Sequence, residues 1–424
     1  MFGRIPGFGL SPVFRSDPFE NPVPTGMITE EAAITAPPGD VLRVDLVAPE
    51  DSPVAEGAPV ARLRNHPEIV LSAPFAGRVA RVRLGPGRRL DEIILFRDPG
   101  GEVAEWDVAA AASGDAPALV ALMQGCGFWP RIRSRPYGRM PASAERPAAI
   151  VVMATDSRPL APDPRLALDG LEEALGRGLA ALGRLTDGPV FLCAADGPPP
   201  IAPDAAGGAR IAHVSPRHPH GLAGFRVHDL CPAAPGRPVW DLHAEDVAQL
   251  GVLLATGRLP RTRLVSVAGP ALTASRLVRC QLGADLRALS YGLVRPGPHV
   301  LMAGSPLDGR RAQWLGTLDR QATIWPQQQE GKPPHWFLAA LASSSVPKPV
   351  IPTAALQHAV GGAFPAMAMV RALSVGDDET ATRLGALSLV EEDLALADYV
   401  TGGQAGLGDL LRAMLDRTRT EMAA

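Results

Sequence analysis

The chain has 424 residues, of which 46% are hydrophobic and 20% are charged, and its formal net charge is −3. This length and composition are typical of a globular protein with several domains and exclude a disordered chain. The acidic balance argues against nucleic acid as a partner, because duplex-binding proteins carry a basic surplus.

Membrane spans, targeting signals and metal-type cysteine spacing are all missing from the sequence. The most apolar run, 148–154, is far shorter than the roughly 20 residues that cross a bilayer. The first residues lack the apolar stretch of a signal peptide. The four cysteines stand singly, without zinc or iron–sulfur spacing. We therefore expect a cytoplasmic chain whose link to any membrane is made by partners.

Short strands separated by Gly/Pro turns fill residues 32–96. Two of the turns, at 54–60 and 73–79, resemble those of the flattened barrel of biotinyl and lipoyl carrier domains. Those carriers attach their cofactor to a lysine at a hairpin tip, and both lysines of this chain, Lys332 and Lys348, lie far away. We predict a docking or structural barrel and not a swinging carrier arm.

Between residues 125 and 141, three arginines recur at every second position. Pro130 and Pro136 disfavour a helix here. In an extended segment, this spacing places all three guanidinium groups on one side. Such a segment suits an anion, an acidic protein or the closure of one domain onto the next, and we predict a docking or inter-domain role. The residues of this prediction are Trp129, Arg131, Arg133, Arg135 and Tyr137.

The next part of the chain alternates helical and buried-strand patterns. A helix is predicted over 109–123, and buried strands over 148–153 and 190–193 flank helical spacing at 166–185. Strand, helix and strand in this order favour a βαβ unit in a parallel sheet. A dinucleotide needs a glycine fingerprint after the first strand, and the loop 154–159 has no glycine. We therefore expect no nucleotide there, although a flavin site need not use that fingerprint.

A small α+β module is predicted after the strand at 263–268, and helices are predicted from 364 to 422. Two acidic clusters, 377–379 and 391–393, lie among these helices. We interpret both as solvated helix faces, since acidic residues in a first helical turn complement the helix dipole.

Three histidines, His218, His220 and His228, fall within eleven residues and could ligate a metal ion as neutral imidazoles. The alternative, which we favour, is a Pro/Gly loop whose histidines bond to backbone groups. The sequence contains no nucleophile elbow, Walker loop or His-Glu-x-x-His motif. We predict no catalytic residue, no metal site and no cofactor bound by this chain.

Several motifs, in order, resemble those of the A subunit of the Na+-translocating NADH:quinone reductase. The segment 127–137 resembles the family's Gly-(Leu/Phe)-Trp…Arg-x-Arg-Pro-(Phe/Tyr) stretch. Further agreement lies at 153–161, 218–224, 255–259 and 391–396, so the similarity covers most of the chain. The related C subunit of Rnf complexes shares the barrel and sheet domains but carries cysteine-ligated clusters.

The resemblance implies a multidomain α/β and α+β fold in four parts. The predicted parts are an N-terminal arm with a barrel-sandwich (biotinyl/lipoyl-like) domain over 1–100, an α/β domain like the flavin subunit of complex I over 101–268, a β-grasp-like module over 269–335 and a C-terminal helical domain over 336–424.

The same resemblance implies a peripheral, non-redox subunit on the cytoplasmic face of the bacterial inner membrane. Its partners would be the membrane subunits of the same reductase, in a hetero-oligomer that transfers electrons from NADH to quinone and exports Na+. The NADH, flavins, iron–sulfur centre, quinone and Na+ would be bound by other subunits.

Departures from the family pattern leave two alternatives open. Residues 401–404 replace the family's Cys-Pro-Gly-Lys, and 343–358 replace its Gly-Gly-Asp…Tyr-Glu segment. The first alternative is a diverged paralogue that acts as a structural or docking subunit of another membrane electron-transfer complex. The second is a stand-alone flavin-binding enzyme.

Overall fold

The computed structural model describes residues 8–21, 23–327, 353–403 and 405–423. The predicted boundary between residues 335 and 336 and both lysines lie outside these ranges. The described residues form four β-sheets and two groups of helices. No helix in the described ranges combines the length and the apolar character needed to cross a membrane.

The N-terminal part contains two antiparallel sheets that share one core. Its strands are β1 (Thr25–Gly26), β2 (Glu31–Ile34), β3 (Val44–Leu46), β4 (Pro53–Val54), β5 (Pro59–Leu63), β6 (Val70–Ser72), β7 (Gly77–Gly85) and β8 (Arg89–Arg97). One sheet has the order β2-β8-β7-β4 and the other β3-β5-β6. Val44 and Val60 from the second sheet and Val79 and Ile93 from the first are fully buried in one cluster. Alternation of apolar and polar residues along the strands produces this arrangement.

Two helices, α1 (Ala109–Ser113) and α2 (Ala116–Gly125), occupy the segment where the sequence predicts one. Gly114 has φ of 117° and ends α1 in the left-handed region, which a glycine adopts without strain. Asp115 then accepts the Ala118 N–H and starts α2. The single-helix prediction was wrong because glycine and a capping aspartate stand next to each other.

The next five strands are β9 (Arg133–Arg135), β10 (Ala149–Ala154), β11 (Val190–Ala195), β12 (Arg210–Val214) and β13 (Val239–His243). They form one sheet in the order β12-β11-β10-β13-β9, in which the predicted parallel pairing is confirmed and β9 is antiparallel to β13. Its helices are α3 (Pro164–Leu168), α4 (Glu172–Leu182), α5 (Ala223–Leu230) and α6 (Ala244–Thr256). Ile150 and Val152 of β10 lie in the same cluster as residues of α4 and α6, whereas Val151 and Met153 lie in a second cluster with Val227 of α5. Both faces of the sheet are therefore covered by helices.

A six-stranded mixed sheet follows, in the order β1-β15-β14-β18-β16-β17. Its remaining elements are β14 (Thr262–Ala268), β15 (Arg276–Gln281), α7 (Leu286–Ser290), β16 (His299–Ala303), β17 (Arg310–Arg311) and β18 (Gln321–Pro326). Strand β14, which the predicted boundaries assign to the preceding domain, pairs here with β15 and β18. Strand β1 of the N-terminal arm pairs with β15, so the arm crosses from the N-terminal sheets to this one.

The C-terminal part described by the structure is helical, as predicted. Its helices are α8 (Ala354–Ala359), α9 (Ala366–Val375), α10 (Asp378–Arg383), α11 (Ala395–Val400) and α12 (Leu407–Ala423). Short 3-10 turns at Ala386–Ser388 and Glu391–Leu394 connect α10 to α11. The core of this part includes Leu222 and Phe225 at the start of α5, so it packs directly on the parallel-sheet region.

Candidate functional site

The arginine segment is not extended along its whole length. Trp129–Arg131 forms a 3-10 turn, closed by the Arg131 N–H donating to the Phe128 carbonyl at 2.9 Å. Only Arg133–Arg135 is a strand, paired antiparallel with β13. The prediction that three guanidinium groups lie on one side was therefore wrong for Arg131. Residues two positions apart in a strand point to the same side of the sheet. Arg131 lies in the 3-10 turn before the strand, so its side chain points in another direction.

Arg133 and Arg135 do share a side, and both bind Asp241. Arg133 donates from Nε and Nη2 to Asp241 Oδ2 at 3.2 and 3.1 Å. Arg135 donates from Nε to Oδ1 of the same carboxylate at 2.8 Å. Asp241 lies opposite Arg133 in the strand register. An aspartate at the centre of a buried strand thus has both oxygens bound by guanidinium groups, which is the geometry that arginine favours.

The same two arginines reach a segment more than 250 residues further along the chain. Arg133 Nη2 lies 2.9 Å from Glu392 Oε1, and Arg135 Nη1 lies 2.8 Å from Asp393 Oδ2. Arg158, in the loop after β10, also contacts Glu392. We call these six residues the ribbon network: Arg133, Arg135, Arg158, Asp241, Glu392 and Asp393. The network connects β9, β13 and the loop after β10 to the start of the last helical region.

The interpretation of 391–393 as a solvated face was therefore wrong. The Asp393 side chain is fully buried, and Glu392 is 21% exposed. Both acids do lie in a first helical turn, as the sequence indicates, but in the folded chain arginine side chains cover them. In the other acidic cluster, Asp377 caps α10 by accepting the Thr380 N–H, and Asp378 pairs with Arg417 of α12.

Electrostatics inside the ribbon network favour the ionised form of Asp241 and Glu392, whereas burial raises the pKa of the Asp393 carboxyl in spite of Arg135. Burial by itself would raise the pKa of the Asp241 carboxyl, but the guanidinium groups of Arg133 and Arg135 outweigh burial and lower it. Burial likewise opposes ionisation of Glu392, and Arg133 and Arg158 lower the pKa of its carboxyl well below the usual range. The contacts of Asp241 and Glu392 with their arginines are therefore charged pairs, so removal of one member leaves a buried charge.

Arg131 belongs to a second set of buried charges at the start of α6. It donates to Gln249 and to the Pro260 carbonyl, and it lies 3.5 Å from Asp246. Asp246 and the neighbouring Glu245 also bind Arg320 of the six-stranded sheet. Carboxylates in the first turn of α6 complement its dipole, and here they also tie the two large sheets together.

Trp129 and Tyr137, the other predicted residues, lie at the two ends of the segment. Trp129 is fully buried, donates from Nε1 to the Pro141 carbonyl at 2.9 Å and packs edge-on against Trp240. The Tyr137 carbonyl accepts from Arg412 of α12 at 2.9 Å. The segment is thus internal to the chain on most sides, although its docking or inter-domain role stays a prediction.

A crevice opens at the carboxyl ends of β10 and β13, which pair with each other up to Met153 and His243. The chain leaves β10 towards β11 on one side and returns to β13 on the other, which is the position where open α/β sheets bind ligands. Here the cavity measures only about 70 Å³, and its lining includes Arg131, Arg158 and Asp156. Pockets for small molecules usually enclose roughly 300–1000 Å³. Charged side chains occupy the position that a larger ligand would need.

The three candidate metal ligands have separate partners. His218 Nδ1 lies 3.1 Å from the Ser157 carbonyl, His220 Nε2 lies 3.3 Å from the Phe8 carbonyl, and His228 Nε2 lies 3.3 Å from the Ala363 carbonyl. Burial, followed by the nearby Arg158, lowers the pKa of His218 to about 4. The described residues contain no group of three or more His, Cys, Asp or Glu that could hold a metal ion. Each histidine bonds to backbone, as the favoured interpretation has it.

Asp40 links the N-terminal sheets to the end of the arginine segment and predicts a pH effect on stability. Its Oδ2 accepts the Met140 N–H at 3.0 Å, and burial raises its pKa from 3.8 to about 6 in spite of three neighbouring arginines. The folded chain therefore binds a proton between these values that the unfolded chain has lost. The stabilisation that this proton gives the folded chain is fully present below pH 4 and is lost as the pH rises through 6.

We therefore expect Asp40→Asn to be more stable than the wild type at pH 8, by about 2 kcal/mol, and similar to it near pH 4. The measurement is urea unfolding at both pH values. Asp187→Asn, at a side chain that is 90% exposed, is the control and should change neither curve. An equal effect of Asp40→Asn at both pH values would contradict the assigned role.

The sequence reasoning missed Asp241, Arg158 and Arg320. One signal could have found the first of these. Asp241 stands in the five-residue strand Val-Trp-Asp-Leu-His, and an ionisable residue inside an otherwise apolar strand needs a partner when the strand is buried. Arg158 lies in a loop, and Arg320 lies next to a strand. The sequence carries no comparable signal at either position.

The fold and these contacts define a multidomain α/β protein whose parts are held together by buried ion pairs. Residues 115–259 match the family model described as the NqrA second alpha/beta domain, and residues 264–313 match the NQRA C-terminal domain. These matches cover the parallel-sheet region and most of the six-stranded sheet.

Curated relatives extend the similarity to most of the chain. The A subunit of the Na+-translocating NADH-quinone reductase of Saccharophagus degradans is 32% identical over 384 residues, covering 83% of this chain and 85% of its own. The same subunit of Pseudomonas aeruginosa is 32% identical, covering 84% and 86%, and that of Actinobacillus pleuropneumoniae is 30% identical, covering 90% and 91%. The chain belongs to the NqrA family, whose members form the A subunit of the Na+-translocating NADH-quinone reductase.

A solved NAD+-reducing [NiFe]-hydrogenase in its H2-reduced state is also similar, with a TM-score of 0.40 and 12% identity over 72% of this chain and 64% of its own. A likeness of this size carries no argument about function.

Proposed function

We propose that the chain is a peripheral, non-redox subunit of a sodium-translocating NADH:quinone oxidoreductase. In this role it supports assembly of the complex and electron transfer from NADH to quinone coupled to Na+ export. The observation that carries the proposal is the similarity to NqrA proteins over 83–90% of the chain. The order of the motifs along the chain adds to it.

The partners in this proposal are the membrane subunits of the same reductase, in a hetero-oligomer on the cytoplasmic face of the bacterial inner membrane. The ribbon network supports an inter-domain role for Arg133 and Arg135 more than a direct docking role, because Arg135 is fully buried and Arg133 is largely so. By holding the helical C-terminal part against the parallel sheet, these arginines fix the relative positions of the surfaces that partners meet.

The cofactors of the reaction (NADH, flavins, an iron–sulfur centre and quinone) and the Na+ ions belong to other subunits in this proposal. The small crevice at the switch point supports this assignment, since Arg131, Arg158 and Asp156 line a volume of only about 70 Å³. A dinucleotide or a flavin would require these side chains to move and their buried ion pairs to break.

We infer a barrel-sandwich domain of the biotinyl/lipoyl kind from the two antiparallel sheets that share one core. The covered parallel sheet supports a domain like the flavin subunit of complex I, and the six-stranded mixed sheet with α7 supports a β-grasp-like module. The helices after residue 353 form the C-terminal domain.

Affinity purification of the tagged chain from its native membranes tests the proposed function. We expect the five further subunits of the reductase to co-purify, and the chain expressed by itself to show no flavin absorbance. Recovery of different membrane subunits would instead favour the diverged paralogue. A stoichiometric flavin in the pure chain would overturn the non-redox assignment.

A further inference from the structure

One exposed sheet face of the N-terminal part is rich in arginine. It lies on β3, on the adjoining end of β5 and on the start of β8, at the tip of the β7–β8 hairpin. We call it the arginine face, and its charged members are Arg43, Arg62, Arg64, Arg88, Arg89, Asp45 and Asp91. Five arginines against two aspartates give this face a net charge of +3, whereas the whole chain carries −3.

Three of these arginines form a row across neighbouring strands. The Arg64 N–H donates to the Arg43 carbonyl at 2.8 Å, and Arg43 forms an antiparallel bridge with Arg89. Residues directly opposite each other have Cβ atoms only about 4.5–5.5 Å apart, and like charges in such positions destabilise a sheet. The row therefore costs the isolated chain stability.

The two aspartates of the face offset this cost only in part, because they pair with Arg88 and Arg89 and not with the other arginines of the face. Asp45 Oδ1 lies 3.1 Å from Arg88 Nε, and Asp91 Oδ1 lies 3.2 Å from Arg89 Nη2. Within the described ranges, no carboxylate lies within ion-pair distance of Arg43, Arg62 or Arg64. Three exposed guanidinium groups therefore have their donors free for an anion outside the chain.

Apolar residues flank the charges on the same side. Every second position around β3 is occupied, in order, by Val41, Arg43, Asp45 and Val47. Val41 is 65% exposed and Val47 is 41% exposed. An exposed sheet face that combines free arginines with exposed valines suits an anionic surface that also has an apolar layer. Guanidinium groups bind phosphate oxygens in a bidentate manner, and small apolar side chains fit between headgroups.

We propose that the arginine face is a contact surface for the phosphate groups of an anionic phospholipid bilayer. This inference rests on the proposed function, since it names the side of the subunit that faces the membrane. Lipid is favoured over an acidic protein because phosphate headgroups need only the free guanidinium groups, and the acyl layer beneath them accommodates the exposed valines. The crevice of the parallel sheet lies elsewhere and is not involved.

Co-sedimentation of the full chain with vesicles tests the proposal. We expect binding to vesicles of equal parts phosphatidylglycerol and phosphatidylcholine, little binding to pure phosphatidylcholine, and release by salt. A basic residue near an anionic bilayer contributes roughly a fivefold change in partitioning, so Arg43→Gln with Arg64→Gln should weaken binding about twenty-fivefold. Because the arginine row is repulsive, this double variant should melt no lower than the wild type.

Arg78→Gln with Arg81→Gln is the matched control, since both arginines are exposed in the same domain and lie outside the arginine face. Equal loss of binding in both double variants would overturn the assignment to this face. The assignment would also be overturned if Arg43→Gln with Arg64→Gln bound anionic vesicles as tightly as the wild type, or if the wild type bound neutral vesicles equally well. If vesicle binding is absent but the five subunits still co-purify, the lipid contact is wrong and the proposed function stands. If the double variant loses the subunits but keeps the vesicles, the face binds protein and the lipid proposal fails.

Discussion

Asp241→Asn is expected to lower the stability of the chain by about 3 kcal/mol, which is the low end of the cost of breaking a buried ion pair. The substitution keeps the shape of the side chain and removes the charge that Arg133 and Arg135 share. Both guanidinium groups stay buried, with Glu392 and Asp393 as their remaining acidic partners. The measurement is the midpoint of thermal unfolding, with hydrogen exchange across 386–400 as a second readout.

The second readout separates the ribbon network from a general loss of stability. Because Arg135 also holds the Ser388 carbonyl and Asp393, exchange should rise first in the 3-10 turns that precede α11. Asp187→Asn, which removes an exposed partner of Arg146, is the matched control and should shift the midpoint little. A variant that melts with the wild type, or exposes no amides near residue 390, would show that Asp241 does not hold this segment.

The second large effect is expected for Gly251→Ala, where α4 and α6 cross. A Cβ at Gly251 would lie 1.8 Å from the Ala174 carbonyl oxygen, and one at Gly178 would lie 2.0 Å from the Val247 carbonyl oxygen. Two glycines, one on each helix, therefore allow the backbones to touch. Alanine favours a helix by about 1 kcal/mol over glycine, but the clash is with backbone that cannot rotate away. We expect a net loss of about 3 kcal/mol or more.

Gly125→Ala is the control for this prediction. Gly125 is also helical, and the nearest atom to a new Cβ there would be a Trp106 ring carbon at 3.7 Å, an ordinary contact. We expect this variant to unfold at the wild-type temperature or slightly above it. If Gly251→Ala also gains stability, the two helices have room to separate and the close crossing is not required.

Local patterns in the sequence predicted the elements well where short-range physics decides them. The buried strands at 149–154 and 190–195 follow from apolar runs too short for helices, and their parallel pairing follows from the helix between them. The spacing of Arg133 and Arg135 correctly placed both on one side of a strand.

Two errors and one unexpected strand pairing share one physical cause, which is that local sequence patterns do not reveal distant neighbours. Arg131 has the same spacing as the other two arginines, yet a 3-10 turn directs it to α6. Glu392 and Asp393 have the positions of solvated first-turn acids, yet arginines from β9 cover them. Strand β14 follows the parallel sheet in the chain but pairs with β15 and β18, because pairing depends on which edge is free.

The sequence by itself determined the family, the order of the strands and helices, and the presence of an unusual arginine segment. These depend on motifs, periodicity and turn residues, all of which act over a few positions. Only the tertiary structure decided what the arginines do, because their partners are carboxylates 106–259 residues away. Residues so far apart in the chain leave no periodic pattern in the sequence. Because the folded chain buries these charged groups together, they form ion pairs that connect the parts of the molecule.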